Sequence, residues 1–436
     1  MLNLYLFYLF FFLPKTTISI IKIPFEKKIE TNLITSEYLC KNIIKSNIII
    51  GSSNEEVPII FDLSSQNILI PDSSFEFINY NENKSYSFKF SSEEKKICYF
   101  NKNKFDCYQS LESFYFLNKQ SKKEKISSFP FLLLRKSKNE KNEISYGKIG
   151  LKAKSNNNSL ISQLKQKKFI EKYIFSISYF TETKGEIIIG NYPHEYNKNY
   201  NEKNFYFLPI ESPKVNSDWI IVFDYISYLD KKESNKRVIF NFNFGGILTS
   251  IHYQKFLNQS FFKDYYLNKL CTLNFFVYEE DDYEDYQIKY SQIICDKSIN
   301  LTNFPPLIFV KKDYNITLNF TFQDLFRIYN EKYYLMIYFS FDQIYEWIIG
   351  EPFFWKFETV FDTDKAIIGF YNKIKNEKQN FNFIYIIIII ILGILIIILS
   401  ILLYVNISNK QRKKRAYELD DDYLYIKKSN IKNGLF

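Results

Sequence analysis

The chain has 436 residues, of which 46% are hydrophobic, 19% aromatic and 24% charged. This composition excludes global disorder and is enough for one large two-lobed domain or two to three ordinary ones. Fifty-seven Lys and Arg against 48 Asp and Glu give a net charge of +9, but with no concentrated basic face or reading module no nucleic-acid partner is expected, and two histidines (His194 and His252) argue against a His-rich metal centre or a Ser-His-Asp machine.

At the N-terminus, residues 2–14 (LNLYLFYLFFFLP) form an apolar run followed by Thr17-Ile18-Ser19, small residues at a spacing that signal peptidase accepts. Residues 1–19 are therefore expected to be a signal peptide cleaved near Ser19. The chain beyond Ser19 reads as strands: NIIIG, VPIIFDL, QNILIP, FSISYF, EIIIG, WIIVFDYISYL, RVIFNFNFG and YYLMIYFSF are short, β-branched or aromatic, and separated by polar turns. The pattern is all-β, with short helices expected near 158–172, 252–268 and 322–330. The charged stretch 118–143 reads as long solvated hairpins. Passage through an oxidising compartment makes the five cysteines informative. Proximity suggests Cys98–Cys107 and Cys271–Cys295, with Cys40 left over, although spacing alone does not fix connectivity. Glycosylation sequons occur at Asn83, Asn157, Asn258, Asn300, Asn315 and Asn319.

Residues 381–405 carry the uncharged core IIIIIILGILIIILSILL, long enough to cross a bilayer. Lys410, Arg412, Lys413, Lys414 and Arg415 come directly after it, and the larger basic cluster should stay cytosolic. The expectation is a type I single-pass membrane protein of the secretory or endolysosomal pathway or the cell surface. Its ectodomain, residues 20–380, would be lumenal or extracellular, and residues 406–436 would form a basic cytoplasmic tail. In that tail Tyr423-Leu-Tyr-Ile426 fits a Tyr-x-x-apolar sorting pattern.

Glycine is scarce, with 11 in the chain, and most of the ectodomain glycines close an apolar run: NIIIG, YGKIG, EIIIG, NFGG, WIIG and AIIG. Asp62-Leu63-Ser64-Ser65-Gln66-Asn67-Ile68-Leu69-Ile70-Pro71 lines up without a gap with Asp-Thr-Gly-Ser-Ser-Asn-Leu-Trp-Val-Pro, the first active-site pattern of the pepsin-like (family A1) aspartic peptidases. In order after it, Ser145–Leu151 resembles Asp-Gly-Ile-Leu-Gly-Leu, and Gly185–Gly190 the strand that closes the first lobe. Phe207–Ile210 with Trp219 is similar to the opening of the second lobe. Ile349-Gly350-Glu351-Pro352-Phe353-Phe354, Val360-Phe361-Asp362 and Ile368-Gly369-Phe370 match the family's C-terminal series. The chain thus resembles that family over roughly the whole ectodomain. The resemblance implies a bilobal double-barrel fold, with lobes at about 20–200 and 201–380. It also implies a peptide or protein segment bound between the lobes, near Ser64, Ser65, Gly245 and Gly246, a structural second-lobe disulfide at Cys271–Cys295, and no cofactor or metal.

The same resemblance implies a second active-site loop at Phe242–Thr249, which puts Asn243 where the family has its second Asp; a register shifted by two puts Asn241 there instead, so neither restores an acid. The family's chemistry needs two carboxyls sharing one proton, one to activate water and one to donate to the peptide carbonyl. An amide cannot exchange that proton. Three further departures point the same way: Leu63-Ser64 replaces Thr-Gly, Phe244 replaces a small hydroxyl residue, and no glycine marks a flap between Ser52 and Tyr146, although Tyr99 could lie on the flap hairpin. The expectation is a catalytically impaired family member, a pseudoprotease that binds segments in its cleft. The alternative is an active aspartic endopeptidase cleaving extended peptides at acidic pH, with Asp62 as its sole carboxylate.

Overall fold

The computed structural model describes residues 20–27, 34–78, 80–100, 103–136, 144–153, 159–211, 218–279, 287–342, 346–373 and 379–432. The expected signal peptide and the sequon at Asn157 lie outside the described residues. The first half contributes β1 (Ile21–Glu26), β2 (Lys45–Ile50), β3 (Glu55–Asp62), β4 (Ile68–Pro71), β5 (Lys89–Phe100), β6 (Asn103–Asn118), β7 (Lys123–Arg135), β8 (Gly147–Gly150), β9 (Ile174–Tyr179) and β10 (Lys184–Ile189). The second contributes β11 (Tyr206–Pro209), β12 (Ile220–Tyr228), β13 (Lys231–Phe240), β14 (Ile247–Ser250), β15 (Cys271–Glu279), β16 (Gln287–Asp296) and β17 (Leu307–Lys311). It ends with β18 (Ile316–Phe320), β19 (Phe326–Tyr329), β20 (Lys332–Ser340), β21 (Glu346–Ile349), β22 (Phe357–Asp362) and β23 (Ile367–Asn372).

Among the described residues these strands form two sheets. One has 13 strands in the order β11-β23-β22-β9-β10-β1-β2-β3-β8-β4-β7-β6-β5; the other has 10, in the order β15-β16-β20-β14-β21-β13-β12-β17-β18, with β19 on β20. Side-chain alternation explains where each strand lies. In β1, Ile21, Ile23 and Phe25 are buried while Pro24 and Glu26 are exposed, and β18 buries Ile316, Leu318 and Phe320 while Thr317 and Asn319 face solvent. β9 and β22 are buried on both faces, as interior strands of a covered sheet must be. Their pairing, Thr359 to Ile177 through Asp362 to Ile174, joins the second half of the chain to the sheet of the first. Trp219 is 1% exposed and fixes the same seam by donating from Nε1 to the Leu151 carbonyl at 3.0 Å.

The all-β expectation holds, and so do short helices at Leu160–Gln166, Ile251–Gln259 and Lys263–Leu267. The expected helix at 322–330 stops at Leu325, because Phe326–Tyr329 pairs with Leu335–Lys332 of β20 and that ladder takes the backbone groups a longer helix would have used. Of the charged stretch 118–143, residues 137–143 lie outside the described residues; Lys123–Arg135 forms β7, paired with β6 from Asp106–Arg135 to Leu117–Lys123, but it is not simply solvated, because Ile126, Phe129, Phe131 and Leu133 are buried in the core. Residues up to Lys373 make up one compact unit and the remainder a second. The second contains a 54-residue helix, Gln379–Lys432. Its segment Ile387–Arg415 is long and apolar enough to cross a membrane, and contains an 18-residue stretch with a mean hydropathy of 3.4.

Candidate functional site

Each half of the chain builds the same local motif. β3 runs parallel to β8, with Asp62 opposite Gly150, and β4 then returns antiparallel to β8, with Ile68 opposite Ile149. β13 runs parallel to β21, with Phe240 opposite Ile349, and β14 returns antiparallel to β21, with Ile247 opposite Ile349. Extending the second ladder by one residue places Asn241 opposite Gly350, as Asp62 lies opposite Gly150. The turns agree. The Ser64 N–H donates to Asp62 Oδ1 at 2.8 Å, and the Asn243 N–H donates to Asn241 Oδ1 at 3.0 Å. Sheet register therefore makes Asn241 the counterpart of Asp62 and Asn243 the counterpart of Ser64. Asn243, the position expected from sequence, lies two residues beyond Asn241, and the two registers are hard to separate in sequence because positions two apart on a strand share a face. The two loops do meet: Asn243 Nδ2 donates to the carbonyl of Phe61, the residue before Asp62, at 2.7 Å.

Both carboxylate oxygens of Asp62 are engaged. Oδ1 accepts from the Ser64 backbone at 2.8 Å and from Ser64 Oγ at 2.6 Å, while Oδ2 lies 3.1 Å from Lys148 Nζ. The Lys148 side chain is 9% exposed and that of Asp62 16%. Lys148 pairs with Ile60 on β3, so period two sets its side chain on the face that Asp62 uses. Its Nζ also lies 5.2 Å from the ring centre of Phe100, which is 1% exposed at the end of β5 and packs against Phe105 and Tyr146. Tyr99, the sequence candidate for the flap hairpin, lies on that same hairpin but is 60% exposed; its neighbour Phe100 is the inward residue.

The glycines of the second loop are packing positions. A Cβ on Gly245 would stand 1.7 Å from the Leu39 carbonyl oxygen, and one on Gly246 would meet Tyr338 Cε2 at 2.4 Å. Both are buried; of the four cleft candidates Ser64 is exposed and Ser65 is half-buried. The cover is the stretch from the helix Ser36–Cys40 to Asn42. The Gly245 N–H donates to the Cys40 carbonyl at 2.7 Å, and Asn42 donates from its backbone to the Asn243 carbonyl at 2.8 Å. Asn42 Nδ2 donates to the Phe242 carbonyl at 2.7 Å and to Tyr179 Oη at 3.0 Å. Cys40 is free, buried against Phe244, Leu248, Tyr290 and Tyr338, and its thiol is held well above its ordinary pKa by burial.

Behind the second loop, Lys27 Nζ lies 2.8 Å from both carboxylate oxygens of Glu351, with side chains 6% and 5% exposed. The Glu351 N–H donates to the Phe244 carbonyl at 2.9 Å, so this ion pair sits directly beneath the loop. Sequence reasoning missed Asn42, Lys148 and the Lys27–Glu351 pair. Only Lys148 left a legible signal, a lysine inside the apolar run Gly147–Leu151 where the resembling pattern has isoleucine. Beside the first loop a cavity of 210 Å³ opens between β4, β5, β6 and β7, lined in part by Asn67, Ile68, Gln109, Leu111 and Leu132. Both expected disulfides form, Cys98–Cys107 across the β5–β6 hairpin and Cys271–Cys295 at directly paired positions of β15 and β16. Asn83, Asn300, Asn315 and Asn319 are exposed, whereas Asn258 is half-buried in its helix.

A family model described as eukaryotic aspartyl protease matches residues 45–373. No curated protein matches the chain by sequence. Among solved structures 387 chains match. One of them is the crystal structure of basic 7S globulin from soybean, at a TM-score of 0.59 and 12% identity, covering 82% of this chain and 95% of that one. At that identity the likeness concerns the fold alone.

Proposed function

The chain belongs to the eukaryotic aspartyl protease family, and on that premise we propose that it is a membrane-tethered pepsin-fold protein that binds peptide or protein segments between its lobes without cleaving them. The observation that supports this reading is that the second loop has an amide at the strand position that Asp62 occupies in the first. Two loops meet at Phe61 and Asn243, and the residue in the register of Asp62 is Asn241. The family's reaction divides the work between an ionised carboxyl that takes a proton from water and a protonated one that gives a proton to the scissile carbonyl. Asn241 can hydrogen-bond but can fill neither role. Loss of one such group costs ~10²–10⁴ in rate, and more where the two act as a unit. Leu63 and Phe244, both 4% exposed, fill with apolar side chains the positions where the family carries small hydroxyl residues.

The topology belongs to the same proposal. The apolar helix, the cations Lys410–Arg415 directly after its apolar core and the two disulfides support a type I protein whose folded unit faces an oxidising lumen or the cell exterior. The test is hydrolysis of a denatured protein by the purified full-length chain across the acidic range, with Asp62→Ala as control. No difference between the two chains is expected. Cleavage by the wild type that Asp62→Ala abolishes would overturn the proposal in favour of an endopeptidase working from one carboxylate.

A further inference from the structure

We infer that Lys148 is a built-in cap on Asp62, occupying the carboxylate oxygen that would otherwise be offered to a ligand in the cleft. The inference rests on the reading of the site as non-hydrolytic and adds to it a reason located in the other half of the chain. Asp62 has two oxygens. Ser64 takes Oδ1 with two hydrogen bonds, at 2.8 and 2.6 Å, and the Lys148 ammonium lies 3.1 Å from Oδ2. Lys148 is 7% exposed, so its charge is balanced within the protein rather than by solvent. The Phe100 ring, 5.2 Å from Nζ, covers the ammonium with an aromatic face and holds it in place. A carboxylate and an ammonium in contact leave the centre without net charge. The shared-proton couple of a working peptidase carries one negative charge, which attracts a hydroxyl or water into the gap between its carboxyls. The capped centre has no such attraction. The ligand class that remains is an extended, uncharged peptide backbone held by the cleft walls.

A peptide inhibitor containing a statine hydroxyl reads this directly, because that hydroxyl needs a free carboxylate oxygen. Its binding is measured by titration calorimetry on the full-length chain in micelles at mildly acidic pH. Lys148→Met opens Oδ2 and should tighten binding about tenfold or more, the worth of one regained charge-assisted hydrogen bond. Lys148→Arg, which keeps the cation, should bind as the wild type does. A purely structural role for Lys148 predicts weaker binding on its removal. Unchanged or weaker binding by a folded Lys148→Met chain overturns the cap while leaving the Asp62–Asn241 argument intact; hydrolysis dependent on Asp62 in the wild type would instead remove the reading beneath it. If Lys148→Met fails to fold, Asp62→Asn/Lys148→Met supplies the test: removing both charges should restore the near-UV circular dichroism spectrum, and failure to do so overturns the inference.

Discussion

Replacing Glu351 by glutamine should cost the protein about 3–5 kcal/mol, the expected penalty for stranding a buried charge. The ammonium of Lys27 makes two contacts of 2.8 Å with the carboxylate, and neither side chain exposes more than 6% of its surface. Water cannot replace the lost partner without opening the packing around Phe242–Gly245, because the Glu351 N–H holds the Phe244 carbonyl at 2.9 Å. Neighbouring phenols share the same burial. The phenols of Tyr179 and Tyr338 are pushed well above their ordinary pKa, first by burial, with the Glu351 charge contributing as well. Lys27→Met should cost a similar amount, since it leaves the carboxylate alone. Lys27→Met/Glu351→Met should recover most of the loss, because two apolar side chains need no mutual compensation. Urea unfolding of the full-length chain, tracked by tryptophan emission, gives these values: all three tryptophans, Trp219, Trp347 and Trp355, lie in the same compact unit. Single variants that lose less than about 1 kcal/mol, the range of exposed ion pairs, would refute the reasoning. So would a double variant whose loss equals the sum of the two singles.

Stability should also fall as the pH rises towards neutrality. Burial raises the carboxyl of Glu358 from 4.5 to about 7 against the opposing charge of Lys373, so the folded state holds a proton there that the unfolded chain releases earlier, and stability present below pH 4.5 is lost as pH climbs through 7. Glu358→Gln should flatten that slope in denaturation midpoints compared at the two ends of the window, and an unchanged slope would remove Glu358 as its source. Glycosidase treatment of the protein from secretory cells should release glycans at the exposed Asn83, Asn300, Asn315 and Asn319 but not at Asn258, whose side chain is half-buried in the helix Ile251–Gln259. A mobility change in Asn258→Gln would contradict this.

Much of the architecture was legible because strand endings leave local marks. Apolar runs closed by glycine located β2, β8, β10 and β21, and cysteines close in sequence found each other across hairpins. The first loop was legible too, since Asp62–Pro71 matches a gapless pattern. The second was not, because Asn241-Phe242-Asn243-Phe244-Gly245-Gly246 allows Asn241 or Asn243 at the decisive position with the same side-chain parity. Only β21, about a hundred residues further on, fixes the register, and such long-range strand pairing leaves no local trace. Lys148 showed only as a lysine inside an apolar run, and its partners were hidden for a related reason. A lysine in a strand reads as a solvent-facing residue, and its burial against Asp62 and Phe100 arises only from tertiary packing. The helix expected at 322–330 was cut short by β20, a partner that propensity cannot anticipate.

The backbone hydrogen bonds that tie Cys40 and Asn42 to Asn243 and Gly245 bridge some two hundred positions of chain, and this constrains the timetable of biogenesis. On the ribosome, the segment around Cys40 emerges long before its docking site exists, so it must stay undocked while some two hundred further residues are synthesised. Contacts of such high order close slowly. A fragment truncated near residue 200 would carry Asp62 but would lack the backbone that receives Asn42. The loop that carries Asn241 and Asn243 thus takes up its station only after about two-thirds of the folded unit has been synthesised.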